Sequence, residues 1–209
     1  MGFRGPTPGD FANVTALNAL FLAALPALAE DGDMPRLSPR AASRLAEAPF
    51  LLFSLQEHDS ALWQRLLDGG GQLALRDAPA TADSRLVELR VAAVGFLWQV
   101  ARRNPYAARL VSAAPCAWCQ DIASRTLVHL VRSVTAADEV ITTRFAPSSP
   151  AWRRLLKEGV SSSAAMRRFA HLAALQEMLT RGASRTDGRL AAAACRMRDP
   201  AGLRRGRKV

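Results

Sequence analysis

The chain has 209 residues, of which 49% are hydrophobic and 22% charged, so it can bury a real core. Leu, Ala and Arg dominate while aromatic residues make up only 6%, a mixture that favours helix over sheet. No apolar run reaches the roughly 18 residues that a membrane span needs, and three cysteines, an odd number, argue against a disulfide framework and indicate a reducing cytoplasm.

The net charge of +10 is concentrated at the C-terminus. Residues 181–209 contain nine basic and two acidic side chains, a net charge of +7, which leaves +3 for the first 180 residues. We expect residues 182–209 to form a disordered basic tail, with a short helix over Leu190 to Met197 as the one exception. Such a tail either grips phosphates non-specifically or is simply solvated, and both interpretations stay open.

Capping signals predict three helices in the first part of the chain, after a loose N-terminus over residues 1–12. A serine, threonine, asparagine or aspartate can satisfy the free amides of a helix start, and proline at the first helical position loses no useful donor. The expected helices run from Asn13 or Thr15 to about Ala29, from Ser38-Pro39 to about Ala48, and from Asp59 or Ser60 to Leu67.

A triple glycine at positions 69–71 is the best internal linker, and we assign residues 69–80 to it. Thr81 then opens the longest predicted helix, whose apolar residues recur at steps of three and four as far as Arg103. Further helices are expected from Asn104-Pro105 to Val111, from Pro115 to Val134 with or without a break, from Ser149-Pro150 to Lys157, and from Ser161 to Ser163 onward to about Arg181.

Two short strand-like runs, Phe50 to Leu55 and Val140 to Phe145, lie at the beginning of the two copies of an internal repeat. Whether these runs form strands is left open. The sequence LFSLQEHDSALWQRLL, which starts at Leu52, aligns with ITTRFAPSSPAWRRLL at a constant offset of 89. Trp63 meets Trp152 in this alignment, and after one intervening residue both copies continue with the same Arg-Leu-Leu. The alternative to a duplication is coincidence between two amphipathic helix ends.

The duplication predicts an all-α protein in which two pseudo-repeated helical units, residues 13–68 and 81–181, share one core. Trp63 and Trp152 are then expected to be core anchors, although base-stacking platforms are the alternative.

The second copy resembles FlhD, the helical subunit of the flagellar transcriptional master regulator. The residues that carry the resemblance are GFLWQVARRNPYAARLV from Gly95, RTLVHLVRSV from Arg125, and EVITTRFAPSSPAWRRLL from Glu139. Arg144-Phe145 stands where the family has an aromatic and basic run before its last helix. The first copy matches more loosely, through Leu37 to Leu45 and Phe53 to Leu67.

The resemblance implies a dimeric, all-α, DNA-binding transcriptional activator of flagellum biogenesis that works with a second, zinc-containing subunit, FlhC. Family members carry one copy, so the doubling here is a departure, and two copies on one chain can imitate the family dimer as a pseudo-dimer. We expect a cytoplasmic regulator with a protein partner such as an FlhC-like zinc subunit, DNA contact, no membrane association and no cofactor. A helical protein-interaction adaptor without a nucleic-acid role is the alternative.

Basic residues on both sides of the turn Gly159-Val160-Ser161 form the best candidate DNA surface of the body. In helix-turn-helix proteins, such residues contact phosphates while the second helix approaches the bases. A solvated basic face is the alternative. Together with the tail, the candidate DNA-binding residues are Arg144, Arg153, Arg154, Lys157, Arg167, Arg168, Arg204, Arg205, Arg207 and Lys208.

Cys116-Ala-Trp-Cys119 is the one motif that invites a chemical interpretation, as a redox pair or, with His129, as part of a metal site. The βαβ context of a redox motif is missing and the ligand set is incomplete, so we predict two small residues packed on a helix and no metal. Catalytic elbows, phosphate-binding loops and metalloprotease helices are also missing. We therefore predict a binding protein and not an enzyme.

Overall fold

The computed structural model describes residues 5–28, 37–68, 84–135 and 137–197. Within these ranges the protein is almost entirely helical, with nine α-helices, one 3-10 turn at Asp138–Val140 and two very short strands, so the all-α class is confirmed. The elements are α1 Pro8–Leu28, α2 Pro39–Ala46, β1 Phe53–Ser54, α3 Ser60–Asp68, α4 Ser84–Arg103, α5 Pro105–Ser112, α6 Cys116–Ser124, α7 Leu127–Thr135, β2 Thr142–Thr143, α8 Pro150–Lys157 and α9 Ala164–Met197.

The predicted cap-and-proline helix starts are confirmed at α2, α5 and α8. The side chains of Ser38, Asn104 and Ser149 each accept a hydrogen bond from an amide two or three residues later, and a proline follows each of them. At α3 the cap is Asp59 and not Ser60, since the Asp59 carboxylate accepts from the Leu62 amide at 2.9 Å. These starts follow from chemistry within one helical turn, which explains why the sequence predicts them.

Helix α1 begins earlier than the sequence predicted. Thr7 and Asp10 form a reciprocal capping box, in which the Asp10 amide donates to Thr7 Oγ1 at 3.3 Å and the Thr7 amide donates to Asp10 Oδ2 at 2.7 Å. Burial alone would raise the pKa of Asp10, but the hydrogen bonds from Thr7 and from Arg103, at the end of α4, hold it below its usual value. The prediction of a loose segment over residues 1–12 is therefore wrong from Pro8 onward.

In the second part, one boundary that was left open is decided and another differs from the prediction. The helix expected from Pro115 to Val134, with or without a break, has the break: it is divided into α6 and α7, and Thr126 Oγ1 accepts from the His129 amide at the start of α7. Helix α9 continues past Arg181, its predicted end, to Met197, so it is longer than α4. The predicted disorder is therefore wrong over residues 182–189, and the short helix expected over Leu190 to Met197 is the last part of α9. The run RLAAAACRM, residues 189–197, consists of strong helix formers, which accounts for the extension.

Some of the predicted segments lie outside the described residues. These are the Gly-rich linker over residues 69–80 and the end of the basic tail from residue 198 onward, including Arg204, Arg205, Arg207 and Lys208. What the sequence predicts for them stays a prediction.

Helix α4 organises the bundle, because it packs against α1, α5, α6 and α7. Helix α1 also packs on α2, α3 on α7, and α8 on α9, and side chains from helices α1 to α9 contribute to one hydrophobic core. Trp63 and Trp152 are both buried in that core, which confirms their prediction as core anchors. Among the described helices, none has the length and apolarity to cross a bilayer.

The two strand-like runs pair with each other. Strands β1 and β2 are antiparallel, with Phe53 opposite Thr143 and Ser54 opposite Thr142. At the offset of 89, Phe53 corresponds to Thr142 and Ser54 to Thr143. When each residue is replaced by its counterpart, the pair Phe53–Thr143 therefore becomes the pair Ser54–Thr142.

A buried asparagine in α1 holds the segment that leads into β1. Asn18 Nδ2 lies 3.3 Å from the carbonyl oxygens of Ala46 and Ala48 and 2.9 Å from that of Phe50, while its Oδ1 accepts from the Leu52 amide at 2.9 Å. The side chain therefore satisfies backbone groups that would otherwise be buried without partners. Sequence reasoning missed this residue, because Asn18 looks like an ordinary polar interruption of an apolar helix.

Candidate macromolecule-binding surface

Arg144 lies inside the protein and not on a DNA-facing surface. Its side chain is only 6% exposed, its Nε donates to the Leu51 carbonyl at 2.7 Å, and its Nη2 lies 3.0 Å from Glu57 Oε1 and also donates to the Phe53 carbonyl. The prediction that Arg144 contacts DNA is therefore wrong. A guanidinium committed to internal acceptors on both sides of β1 cannot also reach a phosphate.

The other candidates of the body come together on one helical hairpin, which consists of α8, the connecting turn and the first half of α9. We call residues 150–180 the α8–α9 hairpin. Arg153 and Lys157 on α8 and Arg168 on α9 are exposed to solvent. These three cations are free to meet an anionic partner.

Two further cations of the hairpin are partly occupied by internal contacts. Arg167 donates to the carbonyl oxygens of Ser161 and Ser162, which lie just before α9, and its Nε is 3.5 Å from the carboxylate of Glu47, the residue that follows α2. The Arg154 guanidinium stands 5.9 Å from the centroid of the Phe169 ring. Arg167 thus anchors the hairpin to the bundle, and Arg154 covers an aromatic side chain at the surface.

Large apolar side chains are exposed on α9 between these cations. Met166 is 43%, Phe169 58% and Leu172 65% exposed, and we call these three residues the α9 apolar stripe. The opposite face of α9, with Ala170 and Ala174, is buried against the bundle. The sequence contained a signal that was missed: the helix carries apolar residues on more than one face, although a surface helix buries only one.

His171 anchors the buried face of α9. Its ring contacts the Phe50 ring edge-on at 6.5 Å, and the residue is buried. Burial lowers the pKa of His171, and the positive charge of the neighbouring Arg167 lowers it further. The negative charge of Glu47 raises the pKa of His171 but does not cancel these two effects. The imidazole is consequently neutral near pH 7, and protonation works against the packing of α9 on the bundle.

The protein is expected to lose stability as the pH falls from about 7.5 to about 5.5. Below the ordinary histidine pKa of about 6.5, the unfolded chain takes up a proton that buried His171 resists, so the free energy of unfolding decreases. Thermal unfolding at a series of pH values measures this loss. The His171→Gln variant should show a flatter dependence over the same range. Equal slopes in the wild type and in His171→Gln would contradict the assignment.

The cysteine pair offers little support for a chemical site. Cys119 is completely buried, and burial raises its pKa to about 12, so it stays a thiol at neutral pH and packs as a small apolar side chain. Arg109 donates to Cys116 Sγ at 3.7 Å, and His129 Nε2 lies 3.0 Å from the Leu67 carbonyl oxygen. No cluster of three or more His, Cys, Asp or Glu residues able to hold a metal ion occurs in the part of the chain that the structure describes.

Comparisons with known proteins do not identify a relative of this chain. No protein-family model matches it, and neither a curated protein nor a solved structure is found to be similar to it. The resemblance to FlhD therefore rests on the residue patterns in the sequence. The chemistry of the α8–α9 hairpin is the structural basis for a proposed function.

Proposed function

We propose that this protein is a cytoplasmic transcriptional regulator of the FlhD type that works as a protein-binding subunit and folds as the single-chain equivalent of the family dimer. The observation that carries this proposal is the reciprocal pairing of β1 with β2. Two copies of one unit, joined about a two-fold axis, would meet in this way, with the axis midway between the two residue pairs, where the offset of 89 places it.

The helices around the strands support the same interpretation. Helices α3 and α8 carry Trp63 and Trp152 at an offset of 89, and α2 and α7 correspond at that offset to within one residue at their starts. Helices α5 and α6 have no counterpart between α1 and α2 among the described residues, so the second unit has an additional surface. A single-chain dimer of this kind needs no second copy to complete its core.

Protein binding is favoured over DNA contact alone by the composition of the α8–α9 hairpin. The cores of protein interfaces combine buried aromatic and aliphatic anchors with arginine and a polar rim. The α9 apolar stripe and its surrounding cations have this composition, and an exposed apolar patch of this kind is uncommon on a surface that binds nothing. Phosphate recognition by itself would not require Phe169 or Leu172.

Direct DNA contact is the second candidate function, and Arg153, Lys157 and Arg168 favour it because they are exposed on one hairpin. Cations of this kind position a protein on the phosphate backbone without reading the sequence. An adaptor with no nucleic-acid role would share the protein-binding surface and differ only in this respect. An FlhC-like zinc subunit is the partner that the proposed regulator would require.

Sedimentation and DNA binding test the proposal. We expect the full chain to sediment as a monomer at micromolar concentration, because its dimer interface is internal. In complex with an FlhC-type subunit, it should bind duplex DNA, and the Arg153→Glu, Lys157→Glu, Arg168→Glu triple variant should lower the salt slope of log K by about 0.9 for each phosphate contact removed.

A tail variant with Arg204, Arg205, Arg207 and Lys208 replaced by glutamine is the matched control, since it separates contacts of the tail from those of the hairpin. A stable homodimer in solution would overturn the single-chain dimer. A complex that forms but binds no DNA at any salt concentration would overturn the regulator and leave the adaptor.

A further inference from the structure

We propose that the α9 apolar stripe is the docking site for an acidic amphipathic helix of a partner protein. The inference rests on the proposed function as a protein-binding subunit, and it specifies the chemistry of the partner segment. Its basis is the combination of exposed apolar side chains and unbalanced positive charge on the α8–α9 hairpin.

The shape of the surface suits a helix. Met166, Phe169 and Leu172 recur every three residues, so they form a ridge along almost two turns of α9. Phe169 and Leu172 lie on the side of α9 opposite Ala170 and Ala174, which face the bundle. Helix recognition commonly uses apolar anchors spaced by three, four and seven residues against such a ridge or groove.

The positive charge of the surface requires a partner segment that carries negative charge. Residues 150–172 contain five basic side chains and one acidic side chain, Glu158. Arg153, Lys157 and Arg168 are exposed, and the Arg154 guanidinium lies over the ring of Phe169, a residue of the stripe. A binding partner must place carboxylates around its apolar anchors to complement these cations.

The same charge argues against other occupants. A second copy of this chain would bring the same cations face to face in a symmetric contact, which costs energy through like-charge repulsion. The C-terminal tail is itself strongly basic, so it would be repelled as well. Duplex DNA would satisfy the cations but leave Phe169 and Leu172 without an apolar partner.

A designed peptide provides the probe. It is a fluorescein-labelled helix of about 18 residues, roughly five turns, with leucines at i, i+3, i+4 and i+7 and glutamates on the flanks. We expect the full chain to bind it with a Kd in the micromolar range by fluorescence anisotropy, and more weakly as salt is added. A second peptide of the same composition with the leucines distributed around the helix should bind at least about tenfold more weakly.

Variants locate the binding site on the protein. Phe169→Ser and Leu172→Ser should each weaken binding of the peptide at least about tenfold, since truncation of an interface anchor has effects of this size. Both residues are more than half exposed, so thermal unfolding should remain that of the wild type. Val128→Ser on α7 is the matched control, because Val128 is 62% exposed and lies outside the α8–α9 hairpin; it should bind the peptide as the wild type does.

Several results would overturn the inference. These are failure of the acidic peptide to bind, equal binding of a version with lysine in place of glutamate, and binding that Phe169→Ser and Leu172→Ser leave unchanged. Self-association, or binding to duplex DNA or to phosphatidylserine vesicles, that is lost in Leu172→Ser while the peptide does not bind would assign the stripe to that occupant instead.

The tests of the two proposals can fail separately. A monomeric chain that binds DNA together with the FlhC-type subunit but ignores the acidic peptide would remove only the docking site. A homodimeric chain without DNA binding that still holds the peptide through Leu172 would remove the single-chain regulator and keep the docking site.

Discussion

Replacement of Glu57 by alanine is expected to lower the free energy of unfolding by about 3–5 kcal/mol. The Glu57 carboxylate is completely buried and lies 3.0 Å from the Arg144 guanidinium, which is itself almost inaccessible to water. Without the carboxylate, a buried positive charge loses its counter-ion, and the Ser54 hydroxyl loses the acceptor of its hydrogen bond. Chemical denaturation followed by circular dichroism measures the difference.

A double variant, Glu57→Leu with Arg144→Met, should recover much of this loss, because an apolar pair of similar volume avoids the desolvation of both charges. The surface pair of Asp121 on α6 and Arg125 directly after α6 is the matched control, since both side chains are well exposed. Asp121→Ala should change the free energy of unfolding by no more than about 0.5 kcal/mol. If Glu57→Ala lowered the free energy of unfolding as little as Asp121→Ala does, the junction between β1 and β2 would not depend on the ion pair.

Replacement of Asn18 by alanine is expected to cost about 3 kcal/mol or more, because the polar groups it serves stay buried. The variant leaves the Leu52 amide and the carbonyl oxygens of Ala46, Ala48 and Phe50 without this partner. The same denaturation measurement applies. Hydrogen exchange at the Leu52 amide should also become faster, since its acceptor is removed.

Asn13 provides the control for this experiment. It is exposed on the same helix, and Asn13→Ala should stay within about 0.5 kcal/mol of the wild type. An Asn18→Ala protein with the stability of the Asn13→Ala protein would mean that other groups or water hold the segment before β1.

The two variants bear on function because they act on the junction between the proposed copies. Glu57 comes from the segment after β1 and Arg144 from the segment after β2, so the ion pair joins the two runs that the proposed repeat relates. Asn18 on α1 binds the backbone of the segment that leads into β1. A protein that loses this junction should lose the relative arrangement of the two proposed units before it loses its individual helices.

The sequence by itself determined the features that depend on a few neighbouring residues. Ser38, Asn104 and Ser149 start helices because a side-chain oxygen satisfies an amide within one turn. The break at Thr126 and the early start at Thr7 follow from the same local chemistry, and the capping box at Thr7 could have been found with the same rule. The helical class follows from composition and periodicity in the same way.

Only the tertiary structure decided which side chains reach solvent and which meet across the fold. Arg144 looked like a phosphate ligand, yet the pairing of β1 with β2 brings it to Glu57, 87 residues away. Phe169 and Leu172 are large apolar residues, yet both are exposed because α9 buries its other face. Local propensity acts over one or two turns, whereas burial depends on which helix faces pack together, and that packing involves segments far apart in the chain.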